Sequence, residues 1–350
     1  MQSRHTRRSK RRLLPSAGFS LLEAMIAIAI LVTVSGVVVA GMLQMTKTQG
    51  TIANRTQMHS SVRNATEFLQ QEIGQAGRVV LPPPGAGLCL GNFVQLTTPV
   101  VLTGAASSPT VCSTNGMYVG EQVVVDSGTN RETVTLTGVT APNTITAVFA
   151  NTHLTGAPVA VQGAFASGVV PPPGGIIYQN GVTATTDATT GSTGFVLKIY
   201  GDLNDDGNMV YVKYTCAPGT PAAPGTLTRN STLISTGGPP VPANDVVLID
   251  NLIANPNGTP CFTYQTKSVS VTYPDGTQVN QTFVINVAVT LTVQTQARDP
   301  QTGQLQSESK ALLNVAPRNV FEAWQVGQIG GGSIRVQEMP PTVFTNFLNY

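Results

Sequence analysis

Charge is what this sequence has least of. Only 10% of its 350 residues are Asp, Glu, Lys or Arg, against the about 25% usual in soluble domains. A surface built from charged helices is excluded, and 35 Gly with 24 Pro favour a β-rich, loop-rich exterior on a chain long enough for a real core. Histidine is also scarce, with 3 in the chain. The sequence has no Gly-x-Ser-x-Gly elbow, no phosphate-binding glycine loop and no His-x-x-x-His pair, so nothing points to catalysis and an enzyme is not expected. The net charge of +2 implies no basic surface for nucleic acid.

The shortage of charge is greatest near the N-terminus. Arg4, Arg7, Arg8, Lys10, Arg11 and Arg12 come first, and residues 24–43 then carry no charge at all. About twenty uncharged, mostly apolar residues make a helix of about 30 Å, enough to cross a bilayer. The basic excess before it would keep the N-terminus cytoplasmic. One carboxylate, Glu23, stands at the entry of the segment, where a charge in lipid costs roughly 2.5–3.5 kcal/mol on insertion scales. A charge so placed calls for a partner.

The residues at that entry, Gly18-Phe19-Ser20-Leu21-Leu22-Glu23, resemble the processing site of the type IV pilins and pseudopilins. The resemblance implies a leader of residues 1–18, removed after Gly18 by a membrane-embedded prepilin peptidase, and methylation of the new N-terminal Phe19. It implies that Glu23 pairs with the N-terminal amine of a neighbouring subunit, where one contact relieves two desolvation costs. Loss of the leader's six basic residues leaves 13 basic against 17 acidic, a net of about −4. An ordinary secretory signal cut after Ala40, in Val38-Val39-Ala40, is the alternative for the same stretch. Ala40 is also a departure, because major pilins commonly carry a helix-kinking proline there.

Beyond the span, Ile52, Met58, Val62, Ala65, Leu69, Ile73 and Ala76 fall at helical spacing from Met58 onward, an apolar stripe facing a core. The expected element is one long helix over residues 19–78, transmembrane over 19–45 and amphipathic after it, ended by Gly74, Gly77 and Pro82-Pro83-Pro84. His59 falls on its polar face. The remainder, residues 79–350, reads as a β-rich headgroup. Two proline seams, at 79–85 and 169–174, read as stiff extended connectors. They bracket an inserted β-module at about 85–170, with strands near 122–126, 132–137 and 144–149. In it His153 has no Cys or second His near it in sequence, which argues against a metal role.

Further strands are expected at 195–200, 210–215, 246–251, 261–264 and 268–273, then a long alternating strand at 282–296 and a return at 308–314. Phe283, Ile285, Val287, Val289, Leu291 and Val293 form one face of the long strand and should cover the amphipathic helix. The tail from Phe321, with Trp324, is expected to be a surface segment, packed or mobile. The fold class is thus α+β, a long N-terminal helix on an antiparallel sheet. The order of these later strands resembles, more loosely, the large minor pilins and the J-type pseudopilins.

Asp202, Asn204, Asp206 and Gly207 match the first half of a calcium loop, but Lys213 stands where a bidentate Glu would close it. A polar hairpin turn and a calcium site both remain open there; no other cofactor is expected. Cys89, Cys112, Cys216 and Cys261, none in a Cys-x-x-Cys arrangement, would form two disulfides in an oxidising compartment. Of the three connectivities, Cys89 to Cys112 and Cys216 to Cys261 each close a local excursion. The expected function is a structural minor pilin or pseudopilin subunit of a type IV pilus or type II secretion pseudopilus, single-pass in the inner membrane with its headgroup outside. Its implied partners are prepilin peptidase, other pilin subunits, an inner-membrane assembly platform with its motor ATPase, and the membrane itself. A membrane-anchored or secreted β-rich adhesin or binding module, acting through the insert, is the alternative.

Overall fold

The computed structural model describes residue 18, residues 20–85, 87–102, 104–330 and 335–350. Residues 1–17 of the expected leader and Phe19 lie outside them. Two compact units are present, residues 1–53 with 299–303, and residues 54–298 with 304–350. Helix α1 (Leu21–Gln75) contributes to both.

In the first unit, Ser20 caps α1: its Oγ accepts from the Leu22 N–H at 3.3 Å, which satisfies one of the free donors of the first turn. The loop at 299–303 lies along the helix at residues 48–51. Thr51 Oγ1 is 2.6 Å from Asp299 Oδ1, and Gln301 Nε2 donates to Thr48 Oγ1 at 3.0 Å.

In the second unit, α1 buries Met58, Val62, Ala65, Leu69, Ile73 and then Ala76 beyond its end. Ile52, read as the start of the stripe, is 59% exposed and belongs to the first unit. The helix runs through Gly74 and ends before Gly77, whose φ is +81°. A side chain at Gly77 would meet the Phe165 carbonyl and Val320, so glycine is needed both for the left-handed turn and for the close approach. Its N–H donates to the Tyr200 carbonyl, joining the helix end directly to the sheet.

The insert follows, with β1 (Gln122–Val125), β2 (Glu132–Thr135), β3 (Gly138–Thr140), β4 (Thr144–Thr146) and β5 (Val159–Val161). They form a three-stranded sheet in the order β2-β1-β5 and a β3-β4 hairpin. Leu96, Val111, Val123, Val125, Leu136 and Ile145 are among the side chains of a core that the insert builds for itself. Then β6 (Ala164–Phe165), β7 (Ile176–Gln179) and β8 (Val182–Thr185) lead into the main strands. The second proline seam, expected as a stiff extended connector, is also part of the core: Val169 and Val170 are wholly buried. The Val170 N–H donates to Lys198 O and the Tyr200 N–H to Gly168 O, so the seam extends the sheet.

That main sheet contains β9 (Val196–Gly201), β10 (Val210–Ala217), β11 (Gly225–Leu233), β12 (Val246–Ile253), β13 (Phe262–Thr272), β14 (Gln278–Gln294) and β15 (Ser307–Val315). Their order is β13-β14-β12-β11-β10-β9, with β15 also on β14. Val287 pairs with both Tyr264 and Val315, so β13 and β15 lie on opposite edges of β14. The two short strands read at 261–264 and 268–273 are one strand, β13. One face of the sheet meets the α1 stripe through Leu197, Val212, Tyr214, Leu227, Val289 and Leu291, among others. At about 1.5–3 kcal/mol for each large apolar side chain buried, that interface is a principal source of stability.

The long strand departs from its expected face. Pairing passes from Gln265–Asn286 to Thr266–Val284, a bulge that leaves Ile285 without a register partner. Alternation flips there. Val284, Val287, Val289, Leu291 and Val293 point to α1, whereas Phe283 and Ile285 join a different core with Tyr178, Val271 and Val320. Helix α2 (Arg318–Gln328) and strand β16 (Val336–Gln337) supply part of that second core. Phe347 and Leu348 fill a third with Tyr200 and Tyr211. These described parts of the tail are therefore packed.

Candidate functional site

Between Glu23 and Lys47 α1 carries no charged residue, and its apolar side chains are exposed around the whole circumference: Leu21 80%, Leu31 65%, Val37 74% and Leu43 59%. No core among the described residues covers them. Two of its few polar side chains are satisfied within the helix, since Thr33 Oγ1 donates to Ala29 O and Thr46 Oγ1 to Met42 O, each at 2.9 Å. Helix α1 is long and apolar enough to cross a membrane, with its backbone satisfied internally as lipid requires. Gly18 and Glu23 are exposed, and Glu23 sits in the first turn, where the helix dipole favours a carboxylate.

The expected calcium residues come together in the β9–β10 loop. Asp202 is buried, while Asn204 and Asp206 are exposed. Asp202 Oδ1 accepts from the Asp206 N–H at 3.1 Å and Asp206 Oδ1 from the Asn208 N–H at 2.8 Å. Arg78 enters the same loop, 2.5 Å from Asp205 and 4.0 Å from Asp202 Oδ2. Burial pushes the Asp202 carboxyl above its usual range. Among the described residues no three His, Cys, Asp or Glu side chains are grouped as a metal site requires.

Disulfides join Cys89 to Cys112 and Cys216 to Cys261. The first ties the start of the insert to its core, and the second lies inside the main core.

Three charged clusters are not evident from the sequence. His153 is fully buried between two carboxylates, Nδ1 3.1 Å from Asp126 Oδ2 and Nε2 2.6 Å from Glu132 Oε1. The carboxylates bind opposite sides of the ring, so they do not converge on one metal. Glu132 also accepts from the Ala150 and Asn151 N–H groups, joining three segments of the insert.

On the helix stripe, Glu72 is buried and receives Arg229 Nη2 at 2.6 Å together with the Tyr214 hydroxyl. It fixes α1 on β10 and β11. Where β1 meets β16, Gln122 Nε2 donates to Glu338 Oε1 at 2.8 Å and Gln337 Nε2 to Gln122 O at 3.2 Å. Beside them Glu121 is wholly buried, and burial pushes its carboxyl up to about 8. Glu338 is raised by the same cause. Only spatial neighbours, tens to hundreds of residues apart in the chain, reveal these groups.

Comparison with protein-family models, curated proteins and solved structures gives no match. What the molecule itself defines is a class: an apolar N-terminal helix able to span a bilayer, followed by a β-rich domain with two disulfides. That layout is compatible with a pilin.

Proposed function

We propose that this chain is a membrane-anchored structural subunit of a type IV pilus or type II secretion filament. Prepilin peptidase cuts after Gly18, Phe19 becomes the methylated N-terminus, and the subunit waits in the inner membrane with its β-rich part outside. Assembly moves the uncharged helix from lipid to the helices of other subunits, and Glu23 meets a neighbour's terminal amine. The observation that carries this reading is the uncovered, uncharged turn after turn of α1 with one carboxylate at its entry. A platform protein and a motor ATPase are its further partners.

The mass of the mature N-terminus tests the processing step: a chain starting at methyl-Phe19 supports it, and one starting at Gly41 sinks it. Glu23→Ala in a tagged subunit tests the pairing, because normal entry into filaments would exclude it. The independent core and disulfide of the insert favour a second reading, in which the anchored chain acts as an adhesin through residues 85–170. Filaments that survive deletion of the insert while attachment is lost would favour that reading. The β9–β10 loop acts in this account as a hairpin turn closed by Arg78. A melting temperature raised by calcium over chelator would instead make Asp202, Asn204 and Asp206 ligands.

A further inference from the structure

The loop seated on α1 at 48–51 has a position that the membrane reading makes informative. Lys47 is the first charge after Glu23. At 1.5 Å of rise per residue, Thr48 lies about 1.5 Å and Thr51 about 6 Å beyond it along the axis. A phospholipid headgroup layer adds about 5–8 Å on each side of the hydrocarbon. With the uncharged helix in the bilayer, the seat of the loop falls within that layer.

The contacts that hold the loop there are specific. Asp299, 4% exposed, turns its carboxylate inward to Thr51 Oγ1 at 2.6 Å and to the Gln301 N–H at 2.9 Å. Gln301 reaches Thr48, and Pro300 lies against Gly50, where an added Cβ would come within 3.0 Å of the proline ring. The outer side of the loop is then Pro300, Gln301, Thr302 and Gly303, all exposed and uncharged. Lys47, also exposed, supplies an ammonium at the same level, and such side chains extend from an apolar helix towards phosphate.

We propose that residues 299–303, held on α1 by Thr48, Gly50 and Thr51, lie with Lys47 among phospholipid headgroups and set how deep the helix sits in the bilayer. This rests on the membrane reading of α1. It adds a surface contact, made by a loop more than two hundred residues further along the chain.

The test places a nitroxide on Thr302→Cys in the full chain in phosphatidylcholine and phosphatidylglycerol vesicles; the native cysteines are disulfide-bonded and do not take the label. Labels at Val34→Cys and at Asn257→Cys, an exposed turn residue, serve as references. The expected result is a Val34 label in hydrocarbon and a Thr302 label several-fold less accessible than Asn257 to a water-soluble nickel chelate. A hydrocarbon Val34 label with Thr302 as accessible as Asn257 overturns the loop proposal alone. A water-exposed Val34 label overturns the membrane reading and the proposal with it. Asp299→Ala and Thr51→Val should each raise chelate access at Thr302 towards that of Asn257, and no change in either variant would overturn the role of the seat.

Discussion

Helix α1 is built for two different surroundings, and the contrast between its parts is the most instructive feature of the chain. From Glu23 to Lys47 it is apolar on every side and uncovered. From Met58 to Ile73 it is apolar on one stripe, and that stripe is wholly covered by the sheet. The backbone and its hydrogen bonds are the same throughout. A helix apolar all round has no preferred face and dissolves in an isotropic apolar medium, whereas a striped helix selects a direction and docks. Each part also holds a carboxylate set among its apolar side chains. Glu72 has Arg229 and Tyr214 as partners within the chain, while Glu23 has an exposed place in the first turn.

The largest effect is expected from Glu72→Ala, which strands the half-buried Arg229 and the Tyr214 hydroxyl: unfolding of the second unit in denaturant should be easier by about 3–5 kcal/mol. Replacing both Glu72 and Arg229 by Met should recover much of that loss, and a double variant as weak as the single one would refute the pairing argument.

Next in size, Val34→Lys should cost about 3 kcal/mol of membrane insertion, measured as the fraction of chain in vesicles, with no change in the melting of the β-rich unit. Equal damage to melting would show that the first part of the helix is a core element after all.

An effect confined to a pH window concerns the seam between β1 and β16. Glu121 in the folded chain holds its proton up to about pH 8, against an ordinary value of 4.5. Between those values the folded state binds more protons than the unfolded one, so stability should fall as pH rises from about 4.5 to 8 and then level off. Glu121→Gln should flatten this slope in melting measured across that window. Smallest of all, Ile52→Ala, at a position 59% exposed, should shift the melting of the second unit by no more than about 0.5 kcal/mol, and a core-sized loss would extend the stripe back to it.

Both parts of α1 were legible in advance because helical periodicity and charge are local properties. So were most strands and the loop at 202–207, where alternation and turn residues lie within a few positions of each other. The face of β14 was not: a single bulge at Ile285 redirects Phe283 and Ile285 to another core, and the cause is the pairing with β13, not the composition of β14. Strand β11, Gly225–Leu233, carries little alternating apolar signal; pairing with β10 and β12 makes it a strand. His153 looked solitary because its carboxylate partners, Asp126 and Glu132, lie 27 and 21 residues away.

An apolar, uncharged helix with a carboxylate at its entry, a continuing apolar stripe and a β-rich remainder follow from spacing and charge along the chain alone. Tertiary structure alone decided which carboxylates are buried, which face of the long strand meets which core, and that a loop at 299–303 seats on the helix at residues 48–51. Those outcomes depend on contacts between residues distant in sequence, where burial and register, more than residue type, set the energy.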